Sequence, residues 1–454
     1  MTSRTYYDVT QWPVGDPYKD IGLVINSMIK DIKRNQSQID LDEGGKPGAT
    51  IFIPPGDYHL ETQVLIDISY LSIVGSGHGF TSSSIRFNLS QANEQSLHEL
   101  WPGGSRILVN LKPRKDDETS SAAFLIKRDG SPRISSVEFS HFCIDGLHFV
   151  DDGSSEKNPE NTYINGKTGI YVACAQDSFR VNGMGLVYLE HGIIIKQADA
   201  LSIHDNFIAE CGNCIELRDW GQASKITDNL IGAGYKGYSI FAEHFGGLLI
   251  SSNNIFPRGA SSIYFKNVVR STITSNRLHS FYPGMIDLRD DSSDNLVAAN
   301  HIYRAHEPWP PMQDHDNGLN DLYGIVRIDG NNNSLIANHF SDILDSTSIN
   351  PIGTTPVIIH LINGSGNYIA SNHIVATTET ENSLEEEEKD SSDSCFSTQV
   401  TAMLSGEAAR SINFLAVQVD PPSSHNMILD TGTSSQIRMD KTSNACRPLP
   451  EQPV

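Results

Sequence analysis

The sequence predicts an all-β protein folded as one single-domain parallel β-helix, a solenoid whose coils add short strands to shared sheets. A motif with a central asparagine recurs at nearly constant spacing, two β-type runs fill each period, and no helical pattern lies between them. Composition agrees, because 38% of the 454 residues are hydrophobic and only 19% are charged. The remainder is rich in Ser, Asn, Gly and Thr, which favour turns over helix interiors.

The recurring motif consists of an apolar residue, two small or polar residues, Asn, any residue and a second apolar residue. Its asparagines are Asn182, Asn206, Asn229, Asn253, Asn276, Asn300, Asn338 and Asn372, with gaps of 24, 23, 24, 23, 24, 38 and 34 residues. Leucine-rich repeats have a similar length, but their Leu-x-x-Leu-x-Leu pattern is absent. We interpret the asparagines as fold determinants that hydrogen-bond from coil to coil at one corner.

A solenoid needs caps at its open ends. Apolar residues at helical spacing from Ile21 to Ile32, with Asp20 as N-cap, predict a capping helix over 20–34. The sequence thus divides into an N-terminal segment with this helix (1–45), the β-helix (46–440) and a C-terminal tail (441–454). The two long gaps place insertions near 304–322 and 343–356, and the first contains Trp309, expected in a lid or a subunit contact. Residues 381–394 read as an acidic, solvated loop.

Charge and segment composition exclude several classes of function. The chain has 33 basic and 55 acidic residues, a formal charge of -22, so we expect neither nucleic acid nor a membrane as partner. The N-terminus lacks a secretory pattern, which predicts a cytoplasmic protein unless a leader was removed. The six cysteines are sparse, and Cys211-Gly-Asn-Cys214 is a lone pair that favours packing over metal or redox chemistry.

Aligning coils by their asparagines also aligns a second strand in each coil, read as CIELRD, SIFAEH, SIYFKN and MIDLRD. Strand alternation predicts that Ile215, Leu217, Ile240, Ala242, Ile263, Phe265, Ile286 and Leu288 point inward. The outer face then carries two columns, Glu216, Phe241, Tyr264, Asp287 and Arg218, Glu243, Lys266, Arg289. Such a face is either a carbohydrate groove or a solvated sheet surface with charge pairing between coils.

Asp205 departs from its column, because later coils have Ser or Ala before the repeat asparagine, whereas Asp205 and Asp228 occupy that position in two coils. A carboxylate crowded at a corner is costly unless it is hydrogen-bonded or used. Asp205 lies one corner from Glu216 in the same coil, so we expect the two side chains to converge on a ligand. Acid–base cleavage of an acetal or ketal uses two carboxyl groups, one that protonates the leaving oxygen and one that acts as base or nucleophile.

The segments YDVTQWP, IPPGDYHLETQV, GMGLVYLEHG and HDNFIAECGNCIEL make nearly the whole chain resemble the inulin fructotransferases and the related difructose dianhydride III hydrolases. In that family the Asp and the second Glu of the last segment are catalytic, and these match Asp205 and Glu216. The resemblance implies a right-handed parallel β-helix, a homotrimer with active sites at subunit interfaces, a small fructose-based oligosaccharide as substrate, and no metal or organic cofactor.

Two activities compete within this family. The hydrolases use water to open difructose dianhydride III to inulobiose, whereas the fructotransferases release a cyclic dianhydride from inulin when a sugar hydroxyl attacks. The absence of a leader and the stretches HELWPGGSRILV and SSDSCF favour the hydrolase. We expect Arg258, Tyr282, Arg289 and Glu243 to bind fructosyl units, from their place on or near the outer face. A non-catalytic stalk or adhesin remains an alternative, and the acidic balance disfavours a pectin-cleaving enzyme.

Overall fold

The computed structural model describes residues 4–79, 103–114, 117–130, 132–147, 164–233, 237–256, 261–280, 283–304, 324–345, 357–379, 410–411, 414–429, 436–438 and 444–446. In these ranges the strands stack into three long sheets, and the chain crosses the first, second and third sheet in turn in each coil. Almost every pairing between neighbouring coils is parallel, and Thr377 and Thr378 pair antiparallel with 410–411. The predicted all-β parallel β-helix is confirmed.

Each sheet collects one strand from successive coils. The first contains Tyr6–Asp8, Ala49–Ile53, Leu71–Gly75, Glu138–Ser140, Arg180–Asn182, Ser202–His204, Lys225–Thr227, Leu249–Ser251, Thr272–Thr274, Leu296–Ala298, Ser334–Ile336, Tyr368–Ala370, Met427–Leu429 and Asn444–Cys446. The second contains Gly56–Leu60, Ser105–Val109, Cys143–Asp145, Gly185–Val187, Phe207–Cys211, Leu230–Ala233, Asn254–Ile255, Arg277–Ser280, His301–Arg304, His339–Asp345, His373–Glu379 and Arg410–Ser411.

The third sheet carries the outer face that the sequence singles out. Its strands are Val64–Ile66, Ala122–Ile126, Thr168–Val172, His191–Asp199, Asn213–Gln222, Tyr238–Glu243, Ser261–Lys266, Ile286–Arg289, Val326–Asp329, Val357–Asn363, Leu415–Val419 and Gln436–Arg438, with the short strands Ile134–Ser135, Gln176–Asp177 and Phe245–Gly246 beside them. All eight residues predicted to point inward are fully buried. Like residues stack in register, as in Ile215, Ile240, Ile263 and Ile286, so one apolar core runs along the coil axis.

The asparagine ladder lies at the corner between the first and second sheets. From Asn206 to Asn372, each side-chain amide donates to the side-chain oxygen of the next asparagine at 2.9–3.0 Å. Each asparagine oxygen also accepts the backbone N–H of the previous one. Because the buried amides are satisfied by one another, the ladder locks the register between coils.

Asn182 does not belong to this ladder, which corrects the sequence prediction. It pairs in register with His204 rather than with Asn206, and its amide donates to Glu138 at 2.7 Å. The equivalent of Asn206 in the preceding coil is Met184, whose backbone N–H donates to Asn206. The motif is therefore shifted by two residues in this coil, and the ladder begins one coil later.

A second ladder, which the sequence analysis missed, lies at the corner that leads into the first sheet. Asn295, Asn333, Asn367 and Asn426 continue it from coil to coil through amide bonds of 3.0–3.2 Å. Ser271 begins it, because its backbone N–H donates to Asn295. The later coils are therefore fixed at two of their corners, which compensates for the long gaps between their motifs.

The N-terminal helix runs from Pro17 to Gln36, longer than predicted at both ends. Asp16 is its N-cap, and Asp20 sits at a kink inside it with non-helical backbone angles. Asp20 nevertheless accepts the N–H groups of Gly22 and Leu23, so it caps the part of the helix that follows the kink. The predicted face, Ile21, Val24, Ile25, Met28, Ile29 and Ile32, is buried in the core, as the hydrophobic period requires.

Most residues of the predicted insertions near 304–322 and 343–356, the acidic loop at 381–394 and the tail at 441–454 lie outside the described residues. Trp309 lies there too. Within the described ranges, no helix combines the length and apolar character that crossing a membrane requires.

Candidate active site

Asp205 occupies the corner between the first and second sheets, in left-handed backbone conformation with φ of 57°. The other residues that precede ladder asparagines, from Asp228 to Ser371, share this conformation with φ of 54–59°. Aspartate tolerates it better than most residues, so the corner itself accounts for a short polar side chain there. The carboxylate of Asp205 receives a hydrogen bond from Nδ1 of His204 at 2.8 Å, and 68% of its side chain is exposed.

Glu216 lies on the outer face of the strand Asn213–Gln222, yet only 4% of it is exposed. Its Oε1 lies 2.5 Å from Nδ1 of His191 in the preceding coil. Its Oε2 accepts Nε and Nη2 of Arg218 at 2.9 and 2.5 Å. Among the described residues, these contacts use three of the four acceptor positions of the carboxylate, two on Oε2 and one on Oε1.

Two further acidic side chains hold the partners of Glu216. Arg218 donates Nη1 to Glu118, a residue 100 positions earlier in the chain, and Tyr171 donates its hydroxyl to the other oxygen of Glu118 at 2.9 Å. On the opposite side, Glu190 lies 3.8 Å from Nε2 of His191. Glu216 is therefore enclosed by an imidazole and a guanidinium whose own positions are fixed by neighbouring carboxylates.

This enclosure sets the charge of Glu216. Burial by itself raises the pKa of Glu216, but the hydrogen bonds and charges of His191 and Arg218 outweigh it, and the net pKa is lowered. For His191 burial lowers the pKa, whereas Glu216 and Glu190 raise it, and the net direction is upward. Glu216 is thus held as a carboxylate beside an imidazolium, the protonation state that suits a base or nucleophile.

The structure does not bring Asp205 and Glu216 together within one chain. The strand Phe207–Cys211 and the following corner separate them, and a five-residue strand is about 17 Å long. Their hydrogen-bond partners also lie on different elements, His204 for one and His191 for the other. Within one chain the two carboxylates therefore lie at different places on the coil, Asp205 at a corner and Glu216 on the third sheet.

The outer columns of the third sheet agree with the predicted alternation. Glu216 pairs in register with Phe241, Phe241 with Tyr264, and Tyr264 with Asp287. Asp287 is nearly buried, and this burial raises its pKa to about 6 although the charges of Arg289 and Arg327 oppose the shift. Two aromatic rings thus lie between two carboxyl groups along this column.

Two of the four predicted binding residues can be placed. Glu243 lies on the outer face, 3.6 Å from Lys266 in the next coil, and accepts the backbone N–H of Asp219 at 3.2 Å. Arg289 follows Lys266 in register and lies 3.3 Å from Asp287. Arg258 and Tyr282 lie outside the described residues.

Cys211 and Cys214 are fully buried in the core as free thiols. Burial, with the neighbouring Cys211, raises the pKa of the Cys214 thiol well above its ordinary range, which agrees with a packing role. In the described part of the chain, no three His, Cys, Asp or Glu side chains are grouped to hold a metal ion.

Sequence reasoning missed His191, Glu118 and Tyr171 as members of the site. His191 had a signal, because the run GIIIK at 192–196 aligns with CIELR and places His191 in register with Asn213, at the start of the strand that carries Glu216. Glu118 had none, since its contact with Arg218 spans 100 residues and lies outside the repeat.

A parallel β-helix with an enclosed carboxylate beside aromatic rings on one outer face belongs to the class of carbohydrate-active solenoid enzymes. The family model "Beta helix repeat of Inulin fructotransferase" matches residues 299–450, and the model "Periplasmic copper-binding protein (NosD)" matches residues 138–307. The chain is 43% identical over 380 residues to the DFA-I-forming inulin fructotransferase of Arthrobacter globiformis, covering 82% of this chain and 90% of that protein. The chain belongs to the inulin fructotransferase family.

Solved structures extend the comparison. The DFA-IIIase of Arthrobacter chlorophenolicus A6 in complex with DFA-III is 61% identical, with a TM-score of 0.88 over 98% of this chain and 99% of that chain. The same enzyme in complex with GF2 is 60% identical, with a TM-score of 0.88 over 99% of this chain and 100% of that chain. The Dettilon tailspike protein shares only the fold, with 12% identity and a TM-score of 0.54 over 97% of this chain and 70% of that chain.

Proposed function

We propose that this protein hydrolyses difructose dianhydride III to inulobiose. One observation carries the choice of activity: the chain is 60–61% identical over nearly its whole length to an enzyme named DFA-IIIase, against 43% over 82% of the chain to an inulin fructotransferase. The site supports the chemistry, because Glu216 is held ionised by His191 and Arg218.

We assign Glu216 the role of base or nucleophile and Asp205 the role of acid. Asp205 protonates the departing oxygen as the bond from that oxygen to the anomeric carbon breaks, and the carboxylate of Glu216 stabilises or captures the resulting positive centre. Water then supplies a hydroxyl group to the anomeric carbon, and its remaining proton restores the acid. One ketal linkage of the cyclic dianhydride is opened, and the product is a linear disaccharide.

We also propose that the enzyme is a homotrimer whose active sites lie at subunit interfaces. The separation of Asp205 and Glu216 within one chain supports this arrangement, because a second copy can bring its Asp205 corner to the outer face that carries Glu216. In a cyclic trimer, each of three identical interfaces then forms one site.

Co-expression of two inactive variants tests the shared site. Asp205→Asn and Glu216→Gln should each abolish turnover alone. Random trimers of the two variants should recover about a quarter of wild-type activity. A shared site works only when one chain supplies native Asp205 and its neighbour supplies native Glu216, and this holds at about one interface in four. No recovery in mixed trimers verified by mass spectrometry would place both carboxylates in one chain's own site. Light scattering gives the oligomeric state directly.

The activity is tested by incubating the protein with difructose dianhydride III and separately with inulin, followed by chromatography of the sugars. Inulobiose from the dianhydride and no change in inulin is the expected result, and Glu216→Gln is the inactive control. No change in either sugar would overturn the enzymatic proposal and leave a non-catalytic β-helix.

Inulin fructotransferase activity is the second candidate, favoured by the 43% identical relative. The same carboxylates serve this reaction when a hydroxyl of the neighbouring fructosyl unit replaces water as the attacking group. Release of a dianhydride from inulin in the same chromatographic assay would select this activity over hydrolysis.

A cytoplasmic location is part of this proposal. A dianhydride is small enough to be imported before it is opened, and Cys143, Cys174, Cys211 and Cys214 are free thiols. Immunodetection in fractionated cells tests it, and a signal confined to the medium would overturn it.

A further inference from the structure

Three aromatic rings form a cluster directly beside Glu216 on the outer face of the third sheet. The rings of Phe241 and Tyr264 are nearly parallel, 14° apart, with centroids 5.8 Å apart. Tyr238 tilts against both, at 5.5 and 5.0 Å. Glu216 pairs in register with Phe241, so the cluster begins one coil away, about 4.8 Å along the axis.

These rings do not serve the interior of the solenoid. Their strand neighbours Ile240 and Ala242 point inward and are fully buried, and Tyr238, Phe241 and Tyr264 remain partly exposed. The cluster is therefore a partly exposed apolar surface on the outer face of the third sheet.

Charged side chains border the cluster on one side. Glu243 and Lys266, which follow Phe241 and Tyr264 by two positions, form an ion pair of 3.6 Å, and Arg289 continues their column. Glu216 and Asp287 lie at the two ends of the cluster. Burial raises the pKa of the Tyr238 hydroxyl most, and Tyr264, Asp287 and Glu216 raise it further. The hydroxyl of Tyr238 therefore lies within electrostatic range of both carboxylates.

A flat apolar surface with a polar border matches the chemistry of a sugar, which has C–H groups on its ring faces and hydroxyls at its edge. We propose that Tyr238, Phe241 and Tyr264 form a fructosyl-binding subsite that stacks on the sugar unit adjoining the one whose anomeric carbon reacts at Glu216. This inference rests on the proposed function and deepens it. The Glu243 and Lys266 pair then provides hydrogen-bond partners for the hydroxyls of the stacked unit.

The spacing supports this assignment. One coil separates Glu216 from Phe241, and a further coil separates Phe241 from Tyr264. A step of about 4.8 Å per coil is close to the width of one sugar ring, so two linked fructosyl units can lie along the column. The reacting fructosyl unit lies at the carboxylate of Glu216, and the adjoining unit stacks on the aromatic rings.

Binding and turnover together test the subsite. In the inactive Glu216→Gln background, isothermal calorimetry with difructose dianhydride III should show that Phe241→Leu and Tyr264→Ala each weaken binding about tenfold. In the active protein the same substitutions should raise KM by a similar factor, while Tyr264→Phe, which keeps the ring, should restore the native value. Tyr6→Ala is the matched control, because Tyr6 is an exposed ring stacked on Phe52 in the first coil, and it should change neither quantity.

The outcomes separate this proposal from the proposed function. Unchanged dissociation constants in Phe241→Leu and Tyr264→Ala would overturn the subsite, and so would failure of Glu216→Gln to bind the dianhydride. Loss of the native oligomeric state in Phe241→Leu, seen by light scattering, would also overturn it by assigning the rings to a subunit contact. If the wild-type protein leaves the dianhydride intact while ring-dependent binding persists, the subsite stands and the hydrolase proposal fails.

Discussion

Replacing Arg218 with glutamine should move the acidic limb of the pH–rate profile to higher pH. Glu216 acts in its ionised form, so the rate rises as this group loses its proton. The guanidinium of Arg218 donates two N–H groups to Oε2 of Glu216. Without them only His191 opposes the effect of burial, and the pKa of Glu216 rises.

The size of the effect follows from these contacts. A hydrogen bond to a charged group contributes about 1.5–3 kcal/mol. Arg218 is only 22% exposed and Glu216 is nearly buried, so solvent replaces little of this interaction. A loss of about 2 kcal/mol reduces the ionised fraction of Glu216 about thirtyfold on the acidic limb.

The assay is kcat/KM for difructose dianhydride III between about pH 3 and 8, a range that begins below the ordinary carboxyl values and extends past the imidazole value. Arg218→Lys should give an intermediate limb, because an ammonium keeps the charge but not the planar pair of donors. An unchanged limb in correctly folded Arg218→Gln would refute the reasoning, since Glu216 would then hold its charge without the guanidinium.

Three further predictions concern stability. The pKa of His191 is raised in the folded protein. Its contribution to the free energy of unfolding is therefore complete below about pH 6.5 and is lost as pH rises through the higher folded value. In urea titrations, His191→Gln should lower the free energy of unfolding most near pH 6 and less near pH 9. Asn253→Ala should lower the free energy of unfolding by about 3–5 kcal/mol, because it removes the acceptor of two buried donors of Asn229. Asn182→Ala, outside the ladder, should lower it by about 1–2 kcal/mol. Equal losses in urea unfolding would contradict the ladder's role. Asp342→Ala should cost about 3–5 kcal/mol by leaving the buried guanidinium of Arg304 without its carboxylate, and an unchanged Tm would contradict this.

The fold was predictable because its determinants repeat. Alternation around Ile215 and Ile240 predicts the inward face, and the spacing of Asn206 and Asn229 predicts the corner. Asn182 was misassigned because FRVNGM matches the motif, although its strand pairs two residues out of step with that motif. A short pattern does not contain the register, which depends on packing between coils.

The site was predictable only where the repeat reaches it. Glu216 belongs to a column that the repeat aligns, whereas Glu118, the partner of Arg218, lies in a turn outside the repeat. The burial of Glu216 was not predictable either, because strand alternation states which face a side chain occupies and not what covers that face. The charge of Glu216 depends on this cover, so its chemical role required the structure.

The alternation within the strand Asn213–Gln222 has an evolutionary consequence. Ile215 and Leu217 contribute to folding, whereas Glu216 and Arg218 contribute to chemistry, and the two sets interleave residue by residue. Changes in one set leave the other set's surroundings largely intact, because the backbone lies between them. A lineage of such solenoids can therefore acquire new substrate preferences through outward substitutions while the inward residues preserve the scaffold.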